Sequence, residues 1–590
     1  MFPKLKELPT QRQVTDVFKG LNRNLRIGSG EFFDMKNMTS DCCPVLAPRG
    51  KRGVYASPAA PGGMIAKDAL CYVDGREFVM NAYRIDMGLN EEPKQLISMG
   101  AYVIIMPDKK YINTADITDF GNIEASFKSE AVVSFTLCRL DGSEYIVEYI
   151  QPEEPEAPAN MALWIDTSST PHALRQWSET SGMWVGIATC YVKISTPGIG
   201  KAFEKYDGIT ISGLGGTLND AETGDEIPTG DIAALEGAAV VWDKGDDFIV
   251  VVGMLDAAVS ISNEVTISRK MPNLDFIVES ENRLWGCRYG VSANGQIVNE
   301  IYASKLGDFK NWNCFMGLST DSYTASVGTD GQFTGAITLP GNVLFFKENC
   351  IHKVYGNYPA NFQIQTTVCR GVQKGCEKSL AIVNEVIYYK ARHAVCAYDG
   401  SLPREISYAL GEERYRSAVA GAHGNKYYIS MEDGSGAWHL YVYDTARGMW
   451  HREDDLRADA FCSCREELYC IDHKTGKIIT MLGSGTKDTG KVKWMVQTGP
   501  MGTESPDMKY ISRLVIRMTM GIGTRVRFFA QYDSMGGWEH LGSLTGTNLR
   551  SFSIPIRPRR CDHFRLRIEG EGEARIYSIT KTIEQGSDIS

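Results

Sequence analysis

The residues of this chain that could carry chemistry are scattered rather than spaced. His473 stands near Cys470 and Asp472, and Cys462 and Cys464 form a C-x-C pair. A zinc site needs two such cysteine pairs, or a His-Glu-x-x-His helix, because four ligands must converge on one ion. Neither spacing occurs, so these residues read as core thiols and a turn histidine, and no metal is expected. Gly28-Ser29-Gly30 offers the glycines of a phosphate-cradling loop, but that loop belongs between a strand and a helix. Glu31-Phe32-Phe33 follows instead, and the reading is a turn. No G-x-S-x-G elbow lies in a strand-to-helix context. Glycoside cleavage needs two carboxylates opposed across a pocket. With 72 Asp and Glu in the chain, spacing alone selects no pair.

Two partial turn patterns add little. Sialidase-type propellers carry repeated S-x-D-x-G-x-T-W turns. The segment 304–312, SKLGDFKNW, approaches this once and with the wrong offsets, so Asp308 and Trp312 are expected to close a turn. The segment 441–450, YVYDTARGMW, is similar to part of a kelch unit but lacks the paired glycines. The expectation is therefore a chain with no catalytic residues and no cofactor, and not an enzyme.

The elements that would position any site are strands. The chain has 590 residues, too many for one core, and its 59 Gly together with frequent Thr, Tyr and Val point to strands joined by tight turns. Helical spacing is best over 10–21 and rare elsewhere. The stretch 276–315 reads as one antiparallel meander, with a polar turn at Glu281-Asn282-Arg283. Polar residues then introduce aromatic strands at Asn342, Asn384, Asn425 and Glu466, at steps of 42, 41 and 41 residues, with Asn282 standing 60 residues before Asn342. Earlier hairpins surround Asp74-Gly75 and Asp108-Lys109. A beat of about 40–50 residues of pure strand marks a β-propeller, whose blades cover both faces only by packing against neighbours. Seven aromatic hairpins favour seven blades. Six remains open, because the hairpins at 68 and 100 could share one. Trp285, Phe345, Tyr388, Tyr428 and Tyr469 are expected in the blade cores.

The expected division is an arm over 1–52, a propeller over 53–127 and 271–485, an inserted β-domain over 128–270, and a C-terminal β-sandwich over 486–590. The insertion carries the linker QPEEPEAPAN and three tryptophans, Trp164, Trp177 and Trp184. The fold class is thus all-β.

Net charge is −10, which argues against a surface that grips duplex DNA through counterion release. Charge is uneven, however. Between 508 and 583 there are 13 Lys and Arg against 6 Asp and Glu, densest at Arg557, Arg559 and Arg560, which makes this a candidate docking face. The 15 cysteines, with no secretory h-region at the start, read as reduced thiols of a cytoplasmically made protein. No apolar run approaches the length of a membrane span.

Two stretches resemble the propeller proteins of bacteriophage tails, known as nozzle or hub subunits and as packaged-DNA stabilisation proteins. One is Gly30-Glu31-Phe32-Phe33-Asp34-Met35-Lys36-Asn37-Met38, followed by Pro44-Val45-Leu46 and Arg49-Gly50. The other joins Asn282-Arg283-Leu284-Trp285 to Ile301-Tyr302-Ala303-Ser304-Lys305-Leu306-Gly307-Asp308. The later blades are similar through Phe345-Phe346-Lys347 and Tyr398-Asp399-Gly400. The resemblance covers arm and blades, and its motifs are turn and packing patterns. It implies a structural virion protein: a homo-oligomeric ring, hexameric, beneath the portal, touching the portal or adaptor and other tail proteins while double-stranded DNA passes through its channel. Like charge would keep the DNA from being gripped. A host-surface glycan-binding or glycan-degrading tail propeller is the alternative, with the Trp-rich stretch 160–190 as its sugar contact.

Overall fold

The computed structural model describes residues 10–227, 230–292, 294–483, 486–487, 490–504, 508–546 and 548–585. These form an all-β protein of propeller type with an inserted β-domain and a C-terminal sandwich. The chain divides into two compact units. One comprises Met1–Lys94, Phe345–His352 and Thr366–Ser590, the other Gln95–Leu344 and Lys353–Gln365.

Seven four-stranded meanders are present among the described residues, and several of them turn on the same local chemistry. The polar beat marks the tight turn between the first and second strands of a meander. Glu281 and Asn282 both have positive φ, as do Asn384 and Glu385, the geometry of a two-residue hairpin turn that follows strand twist. Gly424 and Arg465 take the left-handed conformation at the corresponding points of the next two meanders. The hairpins expected at 68 and 100 belong to separate sheets, over 61–86 and 95–122.

In the first unit the initial strands Ala381–Val383, Ala418–His423, Ala458–Cys464 and Pro61–Ala66 lie side by side in that order. Their meanders therefore cover one another's faces, and Lys426–Glu432 is buried along nearly its whole length. The meander over 458–480 is completed by Gly53–Ala56, whose partner strand is Ile478–Thr480.

The segment expected as an arm is woven into two of the larger sheets. Thr10–Thr15 pairs with Ala574–Gln585, Gly20–Leu21 with Met449–Arg452, and Glu31–Lys36 with Lys493–Thr498. The helical spacing over 10–21 is overruled. Pairing with a long neighbouring strand satisfies the backbone where an isolated short helix would not persist. The C-terminal strands make two facing sheets. In Lys509–Met520 burial alternates, which places Leu514, Ile516 and Met518 in the core.

In the second unit, the insertion packs two sheets over a core that includes Phe135, Ile194, Ile209, Ile249 and Ile267. A smaller sheet runs from Tyr149–Gln151 through Leu163–Asp166 and Ala173–Ser178 to Met183–Gly186. No helix is long and apolar enough to cross a membrane among the described residues.

Candidate functional site

The sequence candidates are placed as follows. Trp285 is buried, with its ring edge-on to Phe362 at 4.9 Å. Phe345 is fully buried, and Tyr388 stacks on Tyr427 at 5.3 Å. Tyr428 packs with Leu440, Val442 and Leu468. Tyr469 is only half-buried and meets Tyr55 edge-on at 5.0 Å. These five do not converge on one cavity.

The thiols and the turn histidine part company in the same way. His473 bonds Asp459 at 2.8 Å on the surface, while burial pushes the Cys462 thiol up to about 12. Gly28 donates its N–H to the Glu31 carboxylate at 2.6 Å, the closing bond of a turn. Asp308 accepts from Asn311 at 2.6 Å, and the indole N–H of the buried Trp312 donates to the Phe309 carbonyl at 2.9 Å, closing a second turn. Arg557, Arg559 and Arg560 lie exposed between the strands Arg550–Ile554 and Phe564–Glu571. Arg559 pairs with Glu539 at 3.0 Å and sits over the Tyr532 ring.

Sequence reasoning missed a cleft in the second unit. It is open, about 530 Å³ in volume, and lined by Lys109, Glu124, Lys270, Arg288, Tyr302 and Phe315 among others. Strands build it. Arg288 lies on Arg283–Val291, directly opposite Glu300 on Ile297–Ala303, and Tyr302 follows Glu300 on the same face. The Tyr302 hydroxyl donates a very short hydrogen bond to Glu300, and burial together with that carboxylate raises the phenol's pKa. Lys109 is fully engaged, by Glu124 at 2.8 Å, the Met271 carbonyl and Asn273. Asp275 accepts the Tyr289 N–H at 2.7 Å, and burial raises its pKa even with Arg288 nearby. Phe315 presents its ring to solvent at 55% exposure.

Two cationic side chains, Lys270 and Arg288, thus stand beside an exposed aromatic ring and a tyrosine–carboxylate pair. Such a surface can hold an anionic, ring-shaped ligand by charge and stacking. The tyrosine–carboxylate pair can also share a proton. The signal for the cleft was the alternation of Arg288, Glu300 and Tyr302 across one hairpin, which becomes legible only once the register is known.

No protein-family model and no curated protein matches the chain. Among solved structures it is similar to PorZ, a surface component of the type-IX secretion system of Porphyromonas gingivalis, at 10% identity over 88% of this chain and 82% of that one, with a TM-score of 0.26. It is also similar to an exo-beta-1,3-galactanase from Phanerochaete chrysosporium, at 9% identity over 52% and 94% with a TM-score of 0.18. A Trypanosoma rangeli sialidase matches at 9% identity over 90% and 95%, with a TM-score of 0.18. Scores of this size carry over no residue and no activity. The expectation that the chain is not an enzyme is nonetheless withdrawn, because catalytic groups can meet across strands whose spacing shows nothing, and a missing motif gives no ground for setting catalysis aside.

Proposed function

We propose that the chain is a structural subunit of a bacteriophage tail, a propeller that assembles with copies of itself into a hexameric ring and contacts portal, adaptor or other tail proteins. The seven meanders are its blades, and the virion is where it works after assembly in the host cytoplasm. The observation that most supports this reading is the pairing of segments that lie far apart in the sequence. Thr10–Thr15 and Ala574–Gln585 pair along six residues, and Gly53–Ala56 completes the meander over 458–480. Strands tied across the whole sequence in this way resist local opening, which suits a component that must hold while a genome passes. The net charge of −10 fits DNA that slides without being gripped. Negative-stain images and solution mass of the purified full chain test this. A ring with a through-hole is the expected result, and a monomer at every concentration, alone or with tail extract, overturns it.

A second reading rests on the cleft. Arg288, Lys270 and the exposed Phe315 suit an acidic sugar on a host surface, which makes the chain a glycan-recognising tail propeller. Glycan-array binding of the full chain, lost in Arg288→Ala and Phe315→Ala, is the expected result. Release of 4-methylumbelliferone from glycoside conjugates, sensitive to Glu300→Gln, would extend binding to cleavage. An array with no binder removes the reading.

A further inference from the structure

Three side chains far apart in the sequence meet in the inserted domain. His172 precedes the strand Ala173–Ser178, Asp231 lies in the short helix Gly230–Ala233, and Asp256 follows the strand Phe248–Val252. One ligand atom from each lies within 4.8 Å of the other two. The imidazole Nδ1 of His172 is 2.7 Å from a carboxylate oxygen of Asp256. From this convergence we infer that His172, Asp231 and Asp256 form a divalent-cation site that pins the three-tryptophan sheet to the body of the insertion.

Two carboxylates share this small space, and neither has an ammonium or guanidinium within ion-pair distance among the described residues. A third carboxylate, Asp166, also acts on the imidazole, although it is bonded to Arg175 at 3.0 Å. A protonated imidazole supplies one positive charge against the two facing aspartates. A divalent cation with a neutral imidazole supplies two, and it fills a space that like charges would otherwise strain apart.

One nitrogen and two carboxylate oxygens suit zinc or manganese better than calcium, which takes oxygen ligands alone. The remaining positions would be filled by water, since the side chains are only partly covered. The His172 nitrogen that faces Asp256 is the one a metal would take, so proton and metal compete for it.

The test uses the full chain, stripped with a chelator, and titration calorimetry with zinc chloride and then manganese chloride at pH 8.0 and pH 6.0. One equivalent of zinc or manganese should bind at pH 8.0, at least about tenfold more weakly at pH 6.0 and in His172→Ala and Asp231→Asn. Far-UV spectra and metal-free melting of both variants establish that they fold. If a variant does not fold, zinc-dependent protection of 165–180 and 250–258 from hydrogen exchange in the native chain replaces it. Equal binding by wild type and variants overturns the site. So does the absence of binding by either metal at pH 8.0, for then the cluster is a histidine ion pair only.

Discussion

The meander over 418–452 and the small sheet over 149–186 are both four strands long in sequence, yet they hide their faces by different means. The meander buries Tyr427 and Tyr441 completely because a neighbouring strand or sheet covers it on each side. Its edge is covered too, since Met449–Arg452 pairs with Gly20–Leu21 from near the start of the chain. The small sheet brings its own cover to one face. On one face Trp164 and Trp177 meet Trp184 edge-on at 5.3 and 5.5 Å; on the other, Leu163, Ile165 and Leu174 pack with Leu137. A sheet covered by neighbours depends on long-range contacts. A sheet covered by its own aromatics needs few large side chains and tolerates a polar surrounding. The first should fail as part of a larger whole, the second by itself.

The sharpest way to break this contrast is Trp450→Ala. Trp450 is fully buried in the meander, donates its indole N–H to the Ile406 carbonyl at 2.7 Å and packs on Tyr443. Its loss should cost about 3–5 kcal/mol. Chemical denaturation should show an earlier main transition, and an unchanged main transition would mean that the meander is not held by its neighbours.

Acid should act next, on that meander and on the strand Cys350–Tyr355. His352 and His451 are buried and uncharged, with pKa values pushed down to about 4 and about 3, mainly by burial. Unfolded, each takes up its proton near pH 6.5. Below that pH the unfolded chain binds more protons than the folded one, so stability is lost as pH falls from 6.5 towards 4. For His352 the separation is worth on the order of 3 kcal/mol. The urea midpoint should therefore drop between pH 7 and pH 5, and less so in His451→Phe. The small sheet has no buried histidine. Its neighbour His172 is shifted the other way, and the stability His172 lends is present below its ordinary pKa and fades as pH rises through the raised value.

The contrast also explains what was legible in the sequence. The hairpin turns of the meanders were visible as polar residues at nearly equal steps, because a turn with positive φ tolerates few side chains. The blade aromatics Phe345, Tyr388 and Tyr428 could be picked out beside those turns. The pairing of Thr10–Thr15 with Ala574–Gln585 could not, because it joins segments more than 560 residues apart and nothing local encodes it. The same holds for the cleft. Arg288 and Tyr302 acquire meaning only when two strands are set in register, and Lys270 and Phe315 come from outside both. Chemistry assembled across strands leaves no spacing to read. The expectation of no enzyme erred by treating that silence as information.

Trp184→Ala sharpens the comparison from the other side. Trp184 is 8% exposed, and its indole N–H has no partner, so truncation removes packing without breaking a hydrogen bond. About 2 kcal/mol should be lost, read as a red shift of tryptophan emission and faster hydrogen exchange over 149–186. The main transition that Trp450→Ala lowers should stay in place. Matched shifts in both variants would merge the two regions into one cooperative block.

Arg559→Glu is expected to change stability least. Its pair with Glu539 is exposed on both sides, and such pairs contribute less than about 1 kcal/mol. Melting should therefore be nearly unchanged. The same substitution, combined with charge reversal at Arg557 and Arg560, removes the densest positive charge from a segment that no strand contains. If the sandwich docks an acidic partner through these residues, assembly falls while melting holds, a separation neither tryptophan variant can produce. If assembly and melting are both unchanged, the three arginines form a solvated surface, and the docking face lies elsewhere.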